Sequence, residues 1–115
     1  MIDPLFLVGF GGAIGALGRY TVSSTIERER FPLSTFMVNV IGSFLLGLVM
    51  FADVGESVQL FVGVGVCGAF TTFSTFSVDT IRLLEDGYVW TAVVYALGNI
   101  LVSVTAIGIA WVLLV

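Results

Sequence analysis

A group of hydroxyl-bearing side chains lies inside an otherwise apolar part of the sequence. Residues 68–80 read GAFTTFSTFSVDT, and five of the seven positions from Thr71 to Ser77 carry a hydroxyl. Such hydroxyls can bond nearby carbonyls in place of the regular helical hydrogen bonds. Because Gly68 precedes them, the pattern favours a broken helix over a continuous one whose hydroxyls bond carbonyls four residues back. Carbonyls freed by a break are suitable ligands for a hard cation such as Na⁺.

Phenylalanines recur every third residue through the same stretch, at positions 70, 73 and 76. This spacing can place Phe73 and Phe76 on one side of the segment. The ordinary interpretation is that both rings contact the core or lipid. The alternative is that they border a pore, since the positive edges of aromatic rings can favour an anion.

Two further sets of uncharged polar residues occur at helical spacing. Asn39 and Ser43 are one turn apart, and Tyr95, Asn99 and Ser103 follow at i, i+4 and i+8. A single amide is explained by an interhelical hydrogen bond, which contributes about 1 kcal/mol in membranes. Three polar residues in register indicate a track that faces protein or water. Hydroxyl and amide N–H groups can replace the hydration of a small anion without trapping it.

Arg19 is the basic residue that falls inside an apolar segment. An arginine at the bilayer centre costs about 2.5 to 3.5 kcal/mol on insertion scales. Near a helix end it either extends to the interface or attracts anions into a vestibule.

The segments that carry these residues are apolar and almost free of charge. Hydrophobic residues make up 58% of 115 positions, charged residues 10%, and the mean hydropathy is +1.15. Soluble domains have roughly a quarter of their residues charged, and about 20 apolar residues span a bilayer as a helix. We therefore predict an all-α, multi-pass protein of the cell membrane, with residues 1–115 forming one domain. The predicted helices are 4–25, 33–52, 58–84 with a break near its middle, and 88–114.

The residue inventory excludes several kinds of function. The sequence has no histidine and one cysteine, which excludes histidine catalysis, an intrachain disulfide and a multi-cysteine metal site. Four basic against eight acidic residues provide no basic patch for nucleic acid. With no nucleophile–base pair, we do not expect an enzyme.

Gly11 and Gly15 form a GxxxG pair in the first span, and this spacing lets another helix approach closely. Four short helices bury little surface, so we expect an oligomer, most simply a dimer.

Three segments together resemble the Fluc (CrcB) family of fluoride channels: GGAIGALGRY, VNVIGSFLLG and GAFTTFSTFSVD. The resemblance covers essentially the whole chain, and TTFSTF behind a glycine is its most specific part. It implies an antiparallel dimer in the membrane lipid with two fluoride pathways. Fluoride would leave the cytoplasm passively, which lowers its toxicity, and a structural Na⁺ would lie at the dimer centre without being transported.

The resemblance also implies roles for individual residues. The backbone carbonyls of Gly68 and Thr71 would hold the Na⁺, and Arg19 would lie near a vestibule. Two positions depart from the family pattern: Asp79 replaces a common glutamate, and Asn99 replaces a small hydroxyl residue. The predicted pore-lining residues are Asn39, Ser43, Phe73, Thr75, Phe76, Tyr95 and Ser103.

Arginines outside the predicted spans are unevenly distributed. Arg28, Arg30 and Arg82 all fall in or beside the loops 1–2 and 3–4, which share one side of a four-helix topology. The positive-inside rule places these loops in the cytoplasm and both termini outside. A chain that pairs with an inverted copy of itself needs balanced arginines, so the bias favours an inverted paralogue as partner over a second copy. Glu27 and Glu29 lie beside the arginines and weaken this signal.

Two other functions fit the sequence less well. A small multidrug-resistance-type exporter needs a membrane-embedded carboxylate in its first helix, where this sequence has only Asp3 at the start. A non-conducting membrane assembly subunit would leave the polar residues of the spans without a purpose.

Overall fold

The computed structural model describes residues 2–26 and 30–115. Its described residues form helices and no strand, and four helices are long and apolar enough to cross a membrane. This confirms the predicted all-α, multi-pass membrane architecture, and each helix begins and ends within two residues of its predicted bounds. The helices are α1 (Pro4–Thr25), α2 (Leu33–Phe51), α3 (Glu56–Glu85) and α4 (Val89–Leu114).

The start of each helix is marked by its local sequence. Asp3 caps α1, because its Oδ1 accepts a hydrogen bond of 2.8 Å from the Leu5 N–H, and Pro4 occupies the first turn. Gly55 and Gly87 precede α3 and α4 with φ of 87° and 86°. This left-handed conformation is disfavoured for residues that carry a Cβ atom, so glycine suits both turns.

Helix α3 is interrupted, as predicted from its hydroxyl-rich stretch. Its first half contains a π-helical segment, Gln59–Cys67, and ends with Gly68–Phe70. Thr71 then has φ −80° and ψ 159°, an extended conformation that stops the helix. The second half is Ser74–Glu85. The break therefore occupies residues 71–73.

The first half of α3 packs against α1 through backbone-to-backbone contact. A Cβ atom on Gly11 would lie 2.2 Å from the Phe61 carbonyl oxygen, and one on Gly15 would lie 2.1 Å from the Val66 carbonyl oxygen. Neither position has room for a larger residue. The GxxxG pair thus serves helix packing, as its spacing predicts.

Helix α2 packs mainly against α4, again with a small residue at the contact. A Cβ atom on Gly47 would lie 2.8 Å from the Ala110 Cβ. The second half of α3 also rests on α4, where Leu83, Ala92 and Tyr95 form a buried cluster. Most other large apolar side chains are exposed, as expected for helices surrounded by lipid.

Candidate functional site

The break in α3 is held by a side chain from another helix. Asn39 of α2 accepts a hydrogen bond from the Thr72 N–H through its Oδ1 at 2.8 Å, and its Nδ2 donates to the Thr72 carbonyl at 3.2 Å. The carboxamide thus binds both backbone groups of one residue. Thr72 in turn caps the second half of α3, because its hydroxyl accepts from the Thr75 N–H at 3.1 Å.

These bonds release two carbonyls from the helical hydrogen-bond pattern. In a continuous helix the Thr72 N–H would bond the Gly68 carbonyl, but here it bonds Asn39. The Thr75 N–H would likewise bond the Thr71 carbonyl, but here it bonds the Thr72 hydroxyl. The two carbonyls expected to hold Na⁺ are therefore those whose helical donors are used elsewhere. A Cβ atom on Gly68 would also have no neighbour within 4 Å among the described residues.

Asn39 belongs to a hydrogen-bonded series that continues into α4. Its Nδ2 donates to Asn99 Oδ1 at 2.9 Å, and Asn99 Nδ2 donates to the Tyr95 carbonyl at 2.8 Å. The Tyr95 hydroxyl donates to Asp79 Oδ2 at 3.1 Å, and the Thr35 hydroxyl donates to the same oxygen at 3.1 Å. The series joins α2, α4, the break itself and the second half of α3.

A cavity of about 340 Å³ lies at the break, and most of the predicted pore residues border it. Asn39 and Ser43 come from α2, Phe73 and Phe76 from α3, and Ser103 from α4. The lining of this cavity carries no charged side chain. The lining also includes six other small or polar residues and two large apolar ones: Gly63, Cys67, Gly68, Thr71, Thr72 and Asn99, with Leu46 and Ile100.

The aromatic residues of the break divide into two groups. Phe73 and Phe76 are neighbours, with ring centroids 5.9 Å apart, whereas Phe70 packs beside Gly18 and Gly42. Phe73 is 79% exposed in the single chain. The spacing allows Phe73 and Phe76 to share one side of the segment, and both border the cavity at the break.

Tyr95 and Ser103 occupy different environments although both belong to the α4 stripe. Tyr95 is fully buried, with its ring 5.5 Å from that of Phe76, so it lies behind the cavity. Ser103 faces the cavity, and its buried hydroxyl has no hydrogen-bond partner among the described residues. An unpaired buried hydroxyl is costly, which marks Ser103 as a position that a ligand would satisfy.

Arg19 lies beside the break and contacts its backbone. Its Nε donates to the Ala69 carbonyl at 3.0 Å, at the end of the first half of α3. It also lines a cavity of about 220 Å³ together with Thr35, Thr72 and Thr75. Arg19 therefore caps a helix end and borders a cavity at the same time.

A wider cavity of about 460 Å³ adjoins the previous one, since both are lined by Thr35 and Thr75. Its charged lining residues are Arg30, Arg82, Asp79 and Asp86. The 220 Å³ cavity shares Thr72 with the cavity at the break. The three cavities thus form a series from the side of loops 1–2 and 3–4 towards the middle of α3. Arg28 lies outside the described residues.

Comparison with known sequences agrees with this arrangement. Residues 6–111 match the family described as "CrcB-like protein, Camphor Resistance (CrcB)". The chain belongs to the CrcB family. This confirms the resemblance that the three sequence segments indicated.

Among its CrcB relatives is a protein of Haloarcula marismortui named fluoride-specific ion channel FluC 2. It is 53% identical over 96% of this chain and 92% of its own length. FluC 1 of Halobacterium salinarum is 42% identical over 96% of this chain and 92% of its own length. FluC of Azobacteroides pseudotrichonymphae is 40% identical over 98% of this chain and 97% of its own.

Several of the contacts were not predicted from the sequence. Thr35 carried no signal as a single threonine in an apolar helix, yet it is 5% exposed and bonds Asp79. The hydroxyls of Thr71 and Ser77 bond nearby carbonyls, as predicted, and the Thr72 hydroxyl caps the second half of α3. The bonds from Asn39, 33 residues earlier in the chain, were not predicted.

Proposed function

We propose that this chain is a fluoride-selective channel that lets the ion leave the cytoplasm passively and so lowers its toxicity. It is not an enzyme, because the CrcB relatives are named ion channels. The observation that carries the proposal is the cavity at the break of α3, whose mainly apolar lining carries uncharged polar groups and, among the described residues, no charged side chain. The Ser103 hydroxyl, which has no partner among the described residues, offers a donor to an anion, while the lack of charged side chains in the described lining favours release.

The proposed path follows the three cavities in series. Arg30 and Arg82 place positive charge at the wide cavity, where Asp79 and Asp86 balance it, and Arg19 supplies a positive charge closer to the break that can attract an anion. Fluoride then passes Thr75 and reaches the level of Phe73 and Phe76, whose ring edges carry partial positive charge. Asn39, Ser43, Ser103 and the buried Tyr95 define the far side of this level.

A structural Na⁺ is part of the proposal, with the carbonyls of Gly68 and Thr71 as its ligands. Both carbonyls are released by the break, and carbonyl oxygens suit a hard cation. Two carbonyls are too few to complete a coordination shell. A second chain with its own pair would supply the rest, which fits the open surroundings of Gly68.

The proposed assembly is an antiparallel dimer in the membrane. The arginine bias favours an inverted paralogue over a second copy of this chain, since Arg30 and Arg82 border the same cavity. Neither alternative function has comparable support. The carboxylate of Asp3, which an exporter of the multidrug type would need inside α1, caps the helix end instead.

Growth of fluoride-sensitive cells tests the direction of transport. A bacterial strain that lacks its own fluoride exporter would express the chain alone or together with an inverted paralogue. We expect one of the two to restore growth in millimolar fluoride, without any effect on growth in chloride. If both proteins reach the membrane and growth is not restored in either strain, the proposed export is contradicted.

A further inference from the structure

We propose that Asn99 is a positioning residue, which acts through Asn39 to hold the break of α3 in place. This inference rests on the proposed function in one respect: the proposed function gives the break in α3 a purpose. It concerns a position where this chain departs from the pattern that its family resemblance implies. The hydrogen bonds that carry it run from α4 through α2 to Thr72.

The orientation of the Asn99 amide is fixed by the backbone of α4. Its Nδ2 lies 2.8 Å from the Tyr95 carbonyl, which is an acceptor only. The amide oxygen must therefore point away from that carbonyl, and it lies 2.9 Å from Asn39 Nδ2. Asn99 is 5% exposed, so water is excluded as a competing partner.

Asn99 adds to the constraint that Thr72 places on the orientation of the Asn39 amide, whose oxygen and nitrogen also bond the Thr72 N–H and carbonyl. Only the nitrogen of Asn39 can donate to the Asn99 oxygen, so the Asn39 oxygen is left to accept from the Thr72 N–H. The opposite orientation would place two amide oxygens together and two donors together. A serine hydroxyl at position 99 would impose no such choice, because it can donate as well as accept.

The fixed amide keeps the Thr72 N–H away from the Gly68 carbonyl. If Asn39 turned over, its oxygen would no longer accept from Thr72, and that N–H would be free to rejoin the helix. All donors of the Asn39 amide are already bonded to protein, one to Asn99 and one to the Thr72 carbonyl. Asn39 therefore holds the break open through its bonds to Thr72, and Asn99 helps to keep the Asn39 amide in the orientation that makes those bonds.

Cys67 provides a native reporter of the break that requires no ion flux. It is the one cysteine of the sequence, and its side chain is 2% exposed beside the cavity. The Thr71 N–H and hydroxyl both donate to its carbonyl, at 3.1 and 3.0 Å. A loosened break would move Thr71 and uncover the thiol.

The experiment measures the rate at which N-ethylmaleimide alkylates Cys67 in the purified full chain, by mass spectrometry. The variants are Asn99→Ala, Asn39→Ala and their double mutant. Thr105→Ala is the matched control, because Thr105 lies on the same helix and bonds only the Leu101 carbonyl of its own turn. Asn99→Ser repeats the test if Asn99→Ala does not give folded protein by size-exclusion chromatography.

We expect Asn99→Ala to raise the alkylation rate about tenfold, the size expected when a buried donor loses its acceptor. Thr105→Ala should react like the wild type, and the double mutant should react no faster than Asn39→Ala. An unchanged rate in Asn99→Ala, or rates that multiply in the double mutant, would overturn the proposal. A wild-type chain that failed to conduct fluoride would contradict the proposed function but leave this result valid.

Discussion

The carboxamide of Asn39 binds three groups from two different helices. Its polar character within an apolar run could be recognised from the sequence, and so could its need for hydrogen-bond partners. Which partners it finds could not, since Thr72 and Asn99 are 33 and 60 residues away. Asn39 makes the interhelical hydrogen bond that an amide in an apolar helix predicts, and its two bonds to Thr72 also make it the support of the break.

The Ser103 hydroxyl leads to a prediction that separates function from folding. Because this buried hydroxyl has no partner among the described residues, Ser103→Ala removes a group whose burial costs about 1 to 3 kcal/mol. We expect unchanged or higher thermal stability, together with about tenfold slower fluoride release, since a donor to the anion is lost. Thr105→Ala is the control and should alter neither property. A less stable Ser103→Ala protein with normal fluoride release would contradict this assignment.

At the scale of the helix, the sequence predicted the break of α3 but not its details. Hydroxyls behind a glycine are a local signal, so residues 71–73 could be identified as a place where the helix stops. The π-helical segment Gln59–Cys67 gave no such signal, because its composition is that of any apolar helix. The segment packs closely against Gly11 and Gly15 of α1, a contact that only the folded chain provides.

The contact between α1 and α3 predicts different effects on stability for alanine substitutions at two glycines of α1. A Cβ atom on Gly15 would overlap the Val66 carbonyl, whereas one on Gly9 would have no neighbour within 4 Å among the described residues. We expect Gly15→Ala to destabilise the protein by about 1 to 3 kcal/mol, as overpacking does. Gly9→Ala should be neutral.

The measurement is the thermal unfolding of the two purified variants in the same detergent. Equal stability for Gly9→Ala and Gly15→Ala would show that α1 and α3 do not meet at this face.

At the scale of the whole molecule, the single chain has a shape and surface that favour assembly. Its principal extents are 52, 30 and 20 Å, so it is a thin slab that is long enough to cross a bilayer. Few side chains are fully buried, the largest being Tyr95, Val38 and Cys67. Hydropathy predicted four spans, but it could not tell lipid-facing from partner-facing surface, because both are apolar.

The distribution of arginines predicts one fixed orientation in the membrane. The Cζ atom of Arg30 lies 3.9 Å from the centre of the Tyr88 ring. This contact brings loops 1–2 and 3–4 together at one end of the molecule. The positive-inside rule then places both termini outside the cell. A cysteine-free tag at either terminus should be accessible to an impermeant antibody in intact cells. Tags found on both sides in equal amounts would contradict the fixed orientation and favour pairing with a second copy.

The most direct test of the account is fluoride release from liposomes, followed with a fluoride electrode and with chloride release as the control. One preparation contains the purified chain alone, and a second contains the chain with an inverted paralogue. We predict rapid fluoride release without chloride release in the second preparation, and also in the first if the chain pairs with itself. The absence of fluoride release from both preparations, or equally fast chloride release, would contradict the account.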